Sequence, residues 1–488
     1  MPAEIDLMSA TSITTPSVQR RKVLLYNPHA AFFDMPLALL AIGSALDPAR
    51  YQPIIIDGRM DDDAIELLAQ HADEAICMGV TVITGRPIHN ALEVTRAIKA
   101  RFPRLPIIWG GWHTSLFAKE PLQDIPEIDV TVQGQGEATF CQLVDHLERG
   151  ELLDDVQGIT YRRLGEIVQN PGRNLQPMEG FGRVNYDLID VERYFQRKGR
   201  RQFDYISSTG CYFRCAFCAD PFVFGRKFTA IPPEQMCEDL AYYHSKYKFT
   251  DLNFQDETFF TYAKRIKGFA EGLIQLNLGF SWAATMRADQ GERLGDEVWQ
   301  MLKQSGLRRV LIGVESGSQE MMDWLKKDIK LTSVLWCAEK CKELGIAINF
   351  PFIVGFPGES DKSVRATVDL VRQLNAKAEN FDTPIFYFKP YPGSSITDEV
   401  VRQGYRLPQH TEEWAQFDFY KSSGPWVSKE KERFFEAFKF YLKLAYGKKR
   451  RFAAPLHALA KWRVEKEVFA FPIEKYAIER LRPKAQLT

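Results

Sequence analysis

The chain has 488 residues, of which 45% are hydrophobic and 26% charged, and its formal net charge is zero. That balance argues against a broad nucleic-acid or anionic-membrane surface, which would favour a basic surplus. The eight cysteines are too few for a disulfide scaffold in so long a chain, and no apolar run reaches membrane-spanning length. The 61 aromatic residues (34 Phe, 18 Tyr, 9 Trp) point to large apolar cores or an apolar substrate cavity, with core as the default.

Residues 1–20 are polar and lack an apolar signal core, so they read as a disordered tail. From Lys22 onward short apolar runs alternate with helical patterns. Strands are expected at 23–26, 53–57, 74–80, 106–109 and 129–132, and helices at 36–46, 61–71, 86–102 and 136–147. Such alternation implies a Rossmann-like, doubly wound parallel α/β sheet over 21–150. Ligands of these sheets bind outside the carboxyl ends of the strands. Those ends carry Asn27-Pro28-His29, Asp57-Gly58-Arg59, Thr81 to Gly85, Gly110-Gly111-Trp112-His113 and Gly134-Gln135-Gly136-Glu137. Glycine lets backbone approach a ligand closely, although it also serves ordinary turns.

Residues 151–198 read as a connector, with a hairpin around Leu164-Gly165 and a short helix over 185–195. A second repeat of strands and helices fills 199–396, with strands at 203–207, 250–254, 280–285, 309–314, 347–354 and 382–389. Six such units make a partial (β/α)6 barrel, with site residues at strand carboxyl ends. Residues 397–488 are expected to form a small, mostly helical C-terminal domain. Its 428–446 stretch places Phe434, Phe438, Tyr441, Leu442 and Ala445 on one face. The basic run 447–451 is either a solvated helix end or a contact for an anionic, lipid-like partner at a membrane periphery.

The first barrel strand leads into Cys211-Tyr-Phe-Arg-Cys215-Ala-Phe-Cys218, a C-x3-C-x2-C run with no fourth cysteine. Iron–sulfur clusters are normally held by four thiolates, so three leave one iron open. A structural zinc site would need four ligands, and the nearest later candidates are Cys237 and His244. Three buried thiols without metal are the other alternative.

The cysteine run resembles the signature of the radical S-adenosylmethionine (SAM) superfamily, with Phe217 as the aromatic residue usual before the last cysteine. Residues 21–150 resemble the cobalamin-binding domain that precedes many radical SAM cores. The resemblance rests on Gly110-Gly-Trp-His113 and Gly134-Gln-Gly-Glu137, where Gln135 replaces a usual glutamate. It implies that Cys211, Cys215 and Cys218 hold a [4Fe-4S] cluster whose open iron chelates SAM. The implied SAM contacts are Phe217, Asp256, Glu257, Arg287, Glu315 and Gly355-Phe356-Pro357-Gly358. Asp256-Glu257 stands where a Gly-Gly-Glu segment is usual. A bland reading of Glu257 and Glu315 is a salt bridge at the barrel mouth, with Arg287 as partner.

For cobalamin the resemblance implies Pro28, His29, Thr81, Val82, Thr84, Gly85, Gly110, Gly111, His113, Gly134, Gly136 and Glu137. His29 lacks the neighbouring acid that orients a cobalt-bound imidazole, so the 81–85 loop is expected under the corrin ring. His113 either meets the nucleotide tail or is a satisfied turn histidine.

The implied activity is C-methylation of an unactivated carbon of a small, apolar-leaning biosynthetic substrate, through a 5′-deoxyadenosyl radical and methylcobalamin. An oxidative cyclisation or rearrangement without methyl transfer, like that of tetrapyrrole cyclases, is the alternative. A non-enzymatic iron–sulfur or cobalamin sensor would not need Glu315 and Gly355 to Gly358. An external flavodoxin- or ferredoxin-type reductant and a cytoplasmic setting are implied as well. Phe386, Tyr387, Phe388 and Tyr391 either line a substrate pocket or pack as core.

Overall fold

The computed structural model describes residues 20–30, 33–417, 424–447, 454–470 and 472–481. The 1–19 part of the tail, Ala31-Phe32 of the His29 loop and the basic run at 448–451 lie outside the described residues.

The first sheet holds seven strands: β1 (Arg21–Asn27), β2 (Tyr51–Asp57), β3 (Ala75–Thr81), β4 (Ile107–Gly110), β5 (Val130–Val132), β6 (Ile159–Arg163) and β7 (Glu166–Gln169). Their order is 2-1-3-4-5-6-7. β1 to β5 pair in parallel, while β6 and β7 add an antiparallel hairpin to β5. Part of the stretch the sequence marks as connector therefore extends this sheet. A sheet covered on both faces reads as a continuous apolar run rather than an alternating one, and Val23 to Tyr26 are all fully buried. Leu24 and Tyr26 join the core under the Ala64–Ala72 and Pro87–Arg101 helices; Val23 and Leu25 join the opposite one under Leu37–Ala45 and Glu137–Arg149.

A second sheet forms the barrel wall. β8 (Gln202–Tyr205), β11 (Asp251–Phe254), β12 (Ser281–Met286), β13 (Leu307–Ile312), β14 (Ala347–Asn349) and β16 (Phe381–Asp382) pair side by side in parallel. Between β8 and β11 a two-stranded ribbon, β9 (Ser208–Gly210) and β10 (Phe228–Ala230), closes the base of the cysteine loop. The last two wall strands differ from the continuous runs 347–354 and 382–389 expected from sequence. Each is broken, and the wall continues as a separate pair, β15 (Phe352–Val354) and β17 (Ile385–Tyr387). Pro351 and Pro384 sit at the two breaks. Proline donates no backbone hydrogen bond and is tolerated only where a ladder ends.

The connector ties the two sheets together. Its Val191–Lys198 helix starts at Asp190, whose carboxylate accepts from the Glu192 and Arg193 amides, and stops at Gly199. Tyr194 donates to Asp57 Oδ2 at 2.6 Å, at the end of β2. Lys198 pairs with the fully buried Asp204 of β8, and Asp204 also accepts the Met35 amide at 2.8 Å. The C-terminal Lys429–Tyr446 helix buries Phe435, Phe438 and Tyr441 in the same core as the barrel helices. Among the described residues no helix is long and apolar enough to cross a membrane.

Candidate active site

The cysteine loop hangs from the β9–β10 ribbon. Gly210 has φ +86°, and a Cβ there would meet the Lys227 carbonyl oxygen at 2.3 Å, so only glycine can start this loop. Ala216, between Cys215 and Cys218, is held from both sides. Its amide donates to the Leu325 carbonyl at 2.8 Å, and its carbonyl accepts the Ile396 amide at 3.2 Å. The three cysteines are partly exposed and free of disulfides. Burial pushes the Cys211 thiol up to about 11 and holds Cys218 well above its ordinary value, with Asp220 adding to both. A coordinated metal removes such a proton outright. Three thiolates on one short loop fit a cluster that presents several irons.

Two cations flank the loop. Arg287 lies 3.6 Å from the Phe213 ring centroid, with Nη1 3.9 Å from Cys215 Sγ and Nη2 donating to the Lys327 carbonyl at 2.7 Å. Lys327 Nζ is 2.7 Å from Glu315 Oε1, with both side chains nearly buried. Burial opposes the lysine charge, yet Glu315 and Cys215 hold its pKa above the ordinary value. Arg287, expected as partner of the barrel-mouth carboxylates, instead pairs with Asp289. Glu315 lies just beyond β13 at φ +67°, bridged to Phe352 of β15.

Asp256 and Glu257 follow β11 but play different parts. Asp256 is occupied within the fold: it accepts from the Ser207 amide at 2.8 Å and from the Ser207 and Ser208 hydroxyls at 2.6 and 2.5 Å. Glu257 keeps one buried oxygen, Oε2, without a partner. Burial, with Asp220 nearby, pushes its carboxyl up to about 8. On the other side of the loop, Phe217 meets Phe356 edge-on at 6.2 Å. Gly355 and Gly358 both adopt φ +76°.

A cavity of about 270 Å³ joins the two halves of the chain. On the N-terminal side it is a slot between the carboxyl ends of β3 to β5 and the Leu37–Ala45 and Glu137–Arg149 helices. Thr81, Gly110, Gly111, Gly134, Gly136 and Glu137 line it. On the barrel side it meets Tyr205, Ile206, Thr209 and Glu257. Glycine keeps the slot open where a side chain would crowd it: a Cβ on Gly79 would stand 3.2 Å from Leu25 and Phe140, and one on Gly136 3.2 Å from Ile42.

Several residues that the sequence connects with cobalamin lie elsewhere. Pro28, His29, Val82, Thr84, Gly85 and His113 do not line the cavity. His113 is fully buried between Phe117 and Trp414, and its Nδ1 lies 3.1 Å from Thr84 Oγ1. Burial drops its pKa to about 3, so it stays neutral and braces the 81–85 loop from behind. Tyr387 is buried in the main core, its hydroxyl donating to Glu436 at 3.0 Å, and Phe388 packs on Phe356.

The sequence reading missed Gly79, Phe140 and the inner face of the Leu37–Ala45 helix. The signal for that face was present as Ala38, Ala41 and Ser44, small residues recurring at helical spacing. Ile83, in the 81–85 loop that the sequence expects under the corrin ring, is 57% exposed and does not line the cavity. Adding bulk inside the slot tests the assignment. Ala41→Phe is expected to weaken corrin uptake roughly tenfold to a hundredfold, the scale of overpacking a close-fitting site, while iron loading stays unchanged. Corrin absorbance and iron content of the same sample read the two.

Comparison with known proteins places this geometry. Residues 205–371 match the Radical SAM superfamily, and residues 29–144 match the B12 binding domain. The chain thus carries a B12 binding domain followed by a radical SAM domain. It is 26% identical to an uncharacterized methyltransferase of Pyrococcus horikoshii, over 75% of this chain and 78% of that one. It is 23% identical to the cytidylyl-2-hydroxyethylphosphonate methyltransferase of Streptomyces wedmorensis, over 80% and 84%. An anaerobic magnesium-protoporphyrin IX monomethyl ester cyclase of Synechocystis is 26% identical over 64% of each chain. The structure of the cobalamin-dependent SAM radical enzyme OxsB superimposes with a TM-score of 0.72 at 18% identity, covering 92% of this chain and 72% of that one.

Proposed function

We propose that the chain is a cobalamin-dependent radical SAM C-methyltransferase acting on an unactivated carbon of a small molecule. The observation that carries this reading is the single cavity shared by the glycine slot and the barrel mouth. A macrocycle held by the slot residues would share this cavity with Tyr205, Ile206, Thr209 and Glu257 of the barrel side. When bound, the cluster and SAM supply a carbon-centred radical and cobalamin supplies a transferable methyl group.

The chain's own residues place and poise these groups. Cys211, Cys215 and Cys218 hold the cluster. Arg287 and Lys327 set positive charge against it, which favours uptake of an electron. The unpartnered Glu257 oxygen is ready for a hydrogen-bond donor such as the SAM amine, and Gly355 to Gly358 offer backbone to its adenine. Glycines at 79, 110, 134 and 136 would leave room for the cobalamin tail. The domain limits that fit these roles are 21–150 for cobalamin and 199–396 for the radical core, with the 159–169 hairpin attached to the former. An external flavodoxin or ferredoxin supplies the electron. The free thiols and an oxygen-sensitive cluster suit the cytoplasm.

Both methyltransferase relatives support methyl transfer; the cyclase relative keeps oxidation as a second reading. Anaerobic reconstitution with SAM and hydroxocobalamin, followed by mass spectrometry of candidate products, separates them. A gain of one methylene is expected, whereas loss of hydrogens selects the oxidative reaction. Absence of bound corrin overturns both.

The raised Glu257 carboxyl gives a second test, on the apoprotein. The folded state holds this proton up to about pH 8, against an ordinary value of 4.5. The stability it contributes is present below the ordinary value and is lost as pH rises toward 8. Glu257→Gln is therefore expected to gain stability over wild type progressively from pH 4.5 to 8, in urea denaturation, with a constant difference below that window.

A further inference from the structure

The C-terminal segment reaches back to the loop that follows β15. The Gly355 amide donates to Glu359 Oε2 at 2.7 Å, inside the same loop. Its carbonyl accepts the indole N–H of Trp426 at 2.6 Å. A Cβ on Gly355 would stand 2.7 Å from Val427 Cγ2, so the segment lies directly against the backbone. The indole is itself fixed, with Tyr405 at 5.2 Å and Phe388 at 6.2 Å. Rings then continue from Phe388 to Phe356 at 4.9 Å and from Phe356 to Phe217 at 6.2 Å. Trp426, Phe388, Phe356, Phe217 and Ala216 belong to one small apolar cluster, separate from the main cores. A residue from outside the barrel thus holds the backbone of one loop and packs, through two rings, on the cysteine loop.

We infer that Trp426 is a positioning residue for the SAM site. It fixes the Gly355 peptide, and with it the Gly355 to Gly358 backbone, so that the C-terminal segment completes a site the barrel alone leaves loose. The inference rests on the assignment of that loop to SAM. An N–H that pins one peptide sets the direction of the next amides and carbonyls, and a binding loop held in advance loses less entropy on binding. A neutral hydrogen bond of this kind corresponds to about a fivefold to tenfold change in affinity.

The test uses the full chain, loaded anaerobically with cluster and cobalamin, and the non-reacting analogue aza-SAM as probe. Trp426→Phe keeps a ring against Phe388 and Tyr405 but removes the N–H. It is expected to bind aza-SAM about fivefold to tenfold more weakly, with unchanged iron content, corrin absorbance and thermal midpoint. The change that aza-SAM causes in the electron paramagnetic resonance spectrum of the reduced cluster should appear only at correspondingly higher concentration. Trp426→Leu, which also removes the ring, should be weaker again. Wild-type affinity in both variants, with cluster intact, overturns the inference. Should Trp426→Leu fail to fold, Trp426→Phe alone decides. Wild-type protein that takes up cluster but binds no aza-SAM would instead overturn the SAM assignment itself.

Discussion

Cys215→Ala should abolish SAM cleavage while leaving the fold and corrin binding in place. The cluster carries the chemistry, and two thiolates from a loop do not hold a cubane that normally takes four. The loop does not depend on the Cys215 side chain for its shape. Its anchors are the Ala216 backbone bonds to Leu325 and Ile396 and the ribbon at Gly210. Cys215 is only partly buried, so losing its sulfur should cost about 0.5 kcal/mol or less of stability. Iron per chain should fall toward zero, and release of 5′-deoxyadenosine should fall by at least about a thousandfold, given that the cofactor performs the step. The cobalamin slot is lined by other elements, so corrin absorbance should persist. The same result is expected at Cys211 and Cys218. Retention of iron and cleavage in all three variants would remove the cluster from this loop.

Lys327→Met should destabilise the fold by about 3–5 kcal/mol, the cost of leaving a buried charge without its partner. Glu315 and Lys327 are 6% and 8% exposed, and the ammonium is the one cation paired with Glu315 among the described residues. Glu315 also sits at φ +67°, a conformation that costs a non-glycine residue about 1–3 kcal/mol. The surroundings must hold it there, and the ion pair is part of that hold. Removing both charges in Glu315→Gln with Lys327→Met should cost less than Lys327→Met alone, because no charge is then left buried. Urea denaturation of the three variants measures this. Equal stability of wild type and Lys327→Met would show that Glu315 finds another partner or a proton.

How much of this could be read from the sequence follows the range of the interactions. The cysteine run and the strand–helix alternation are local patterns, so both were legible. So were the glycines at the ends of β4 and β5, because backbone that must approach a ligand shows itself as glycine. The partner of Glu315 was not legible. Lys327 lies twelve residues on in a loop, and nothing in its neighbourhood distinguishes it from Lys326 or Lys330 until the chain folds. His113 illustrates a different failure. Its place in the motif is legible, but Trp414, three hundred residues later, packs against it, and the side chain is buried. Trp426 has no signal at all, since its partner is a carbonyl. The breaks after β14 and after β16 were readable: Pro351 interrupts an apolar run and Pro384 follows Asp382-Thr383, and a proline inside a run argues against an uninterrupted strand.

Those two prolines leave the barrel wall in two tiers. The lower tier, β8 to β16, is one laminated sheet with helices behind it. The upper tier is the short β15–β17 patch, joined to its neighbour by the Glu315–Phe352 bridge and carrying Gly355 to Gly358 at its rim. Phe352, Val354, Ile385 and Tyr387 of the upper tier share one core with Val310, Ile312, Ile348 and Phe381 of the lower, so the rim rides on the same packing as the sheet beneath it.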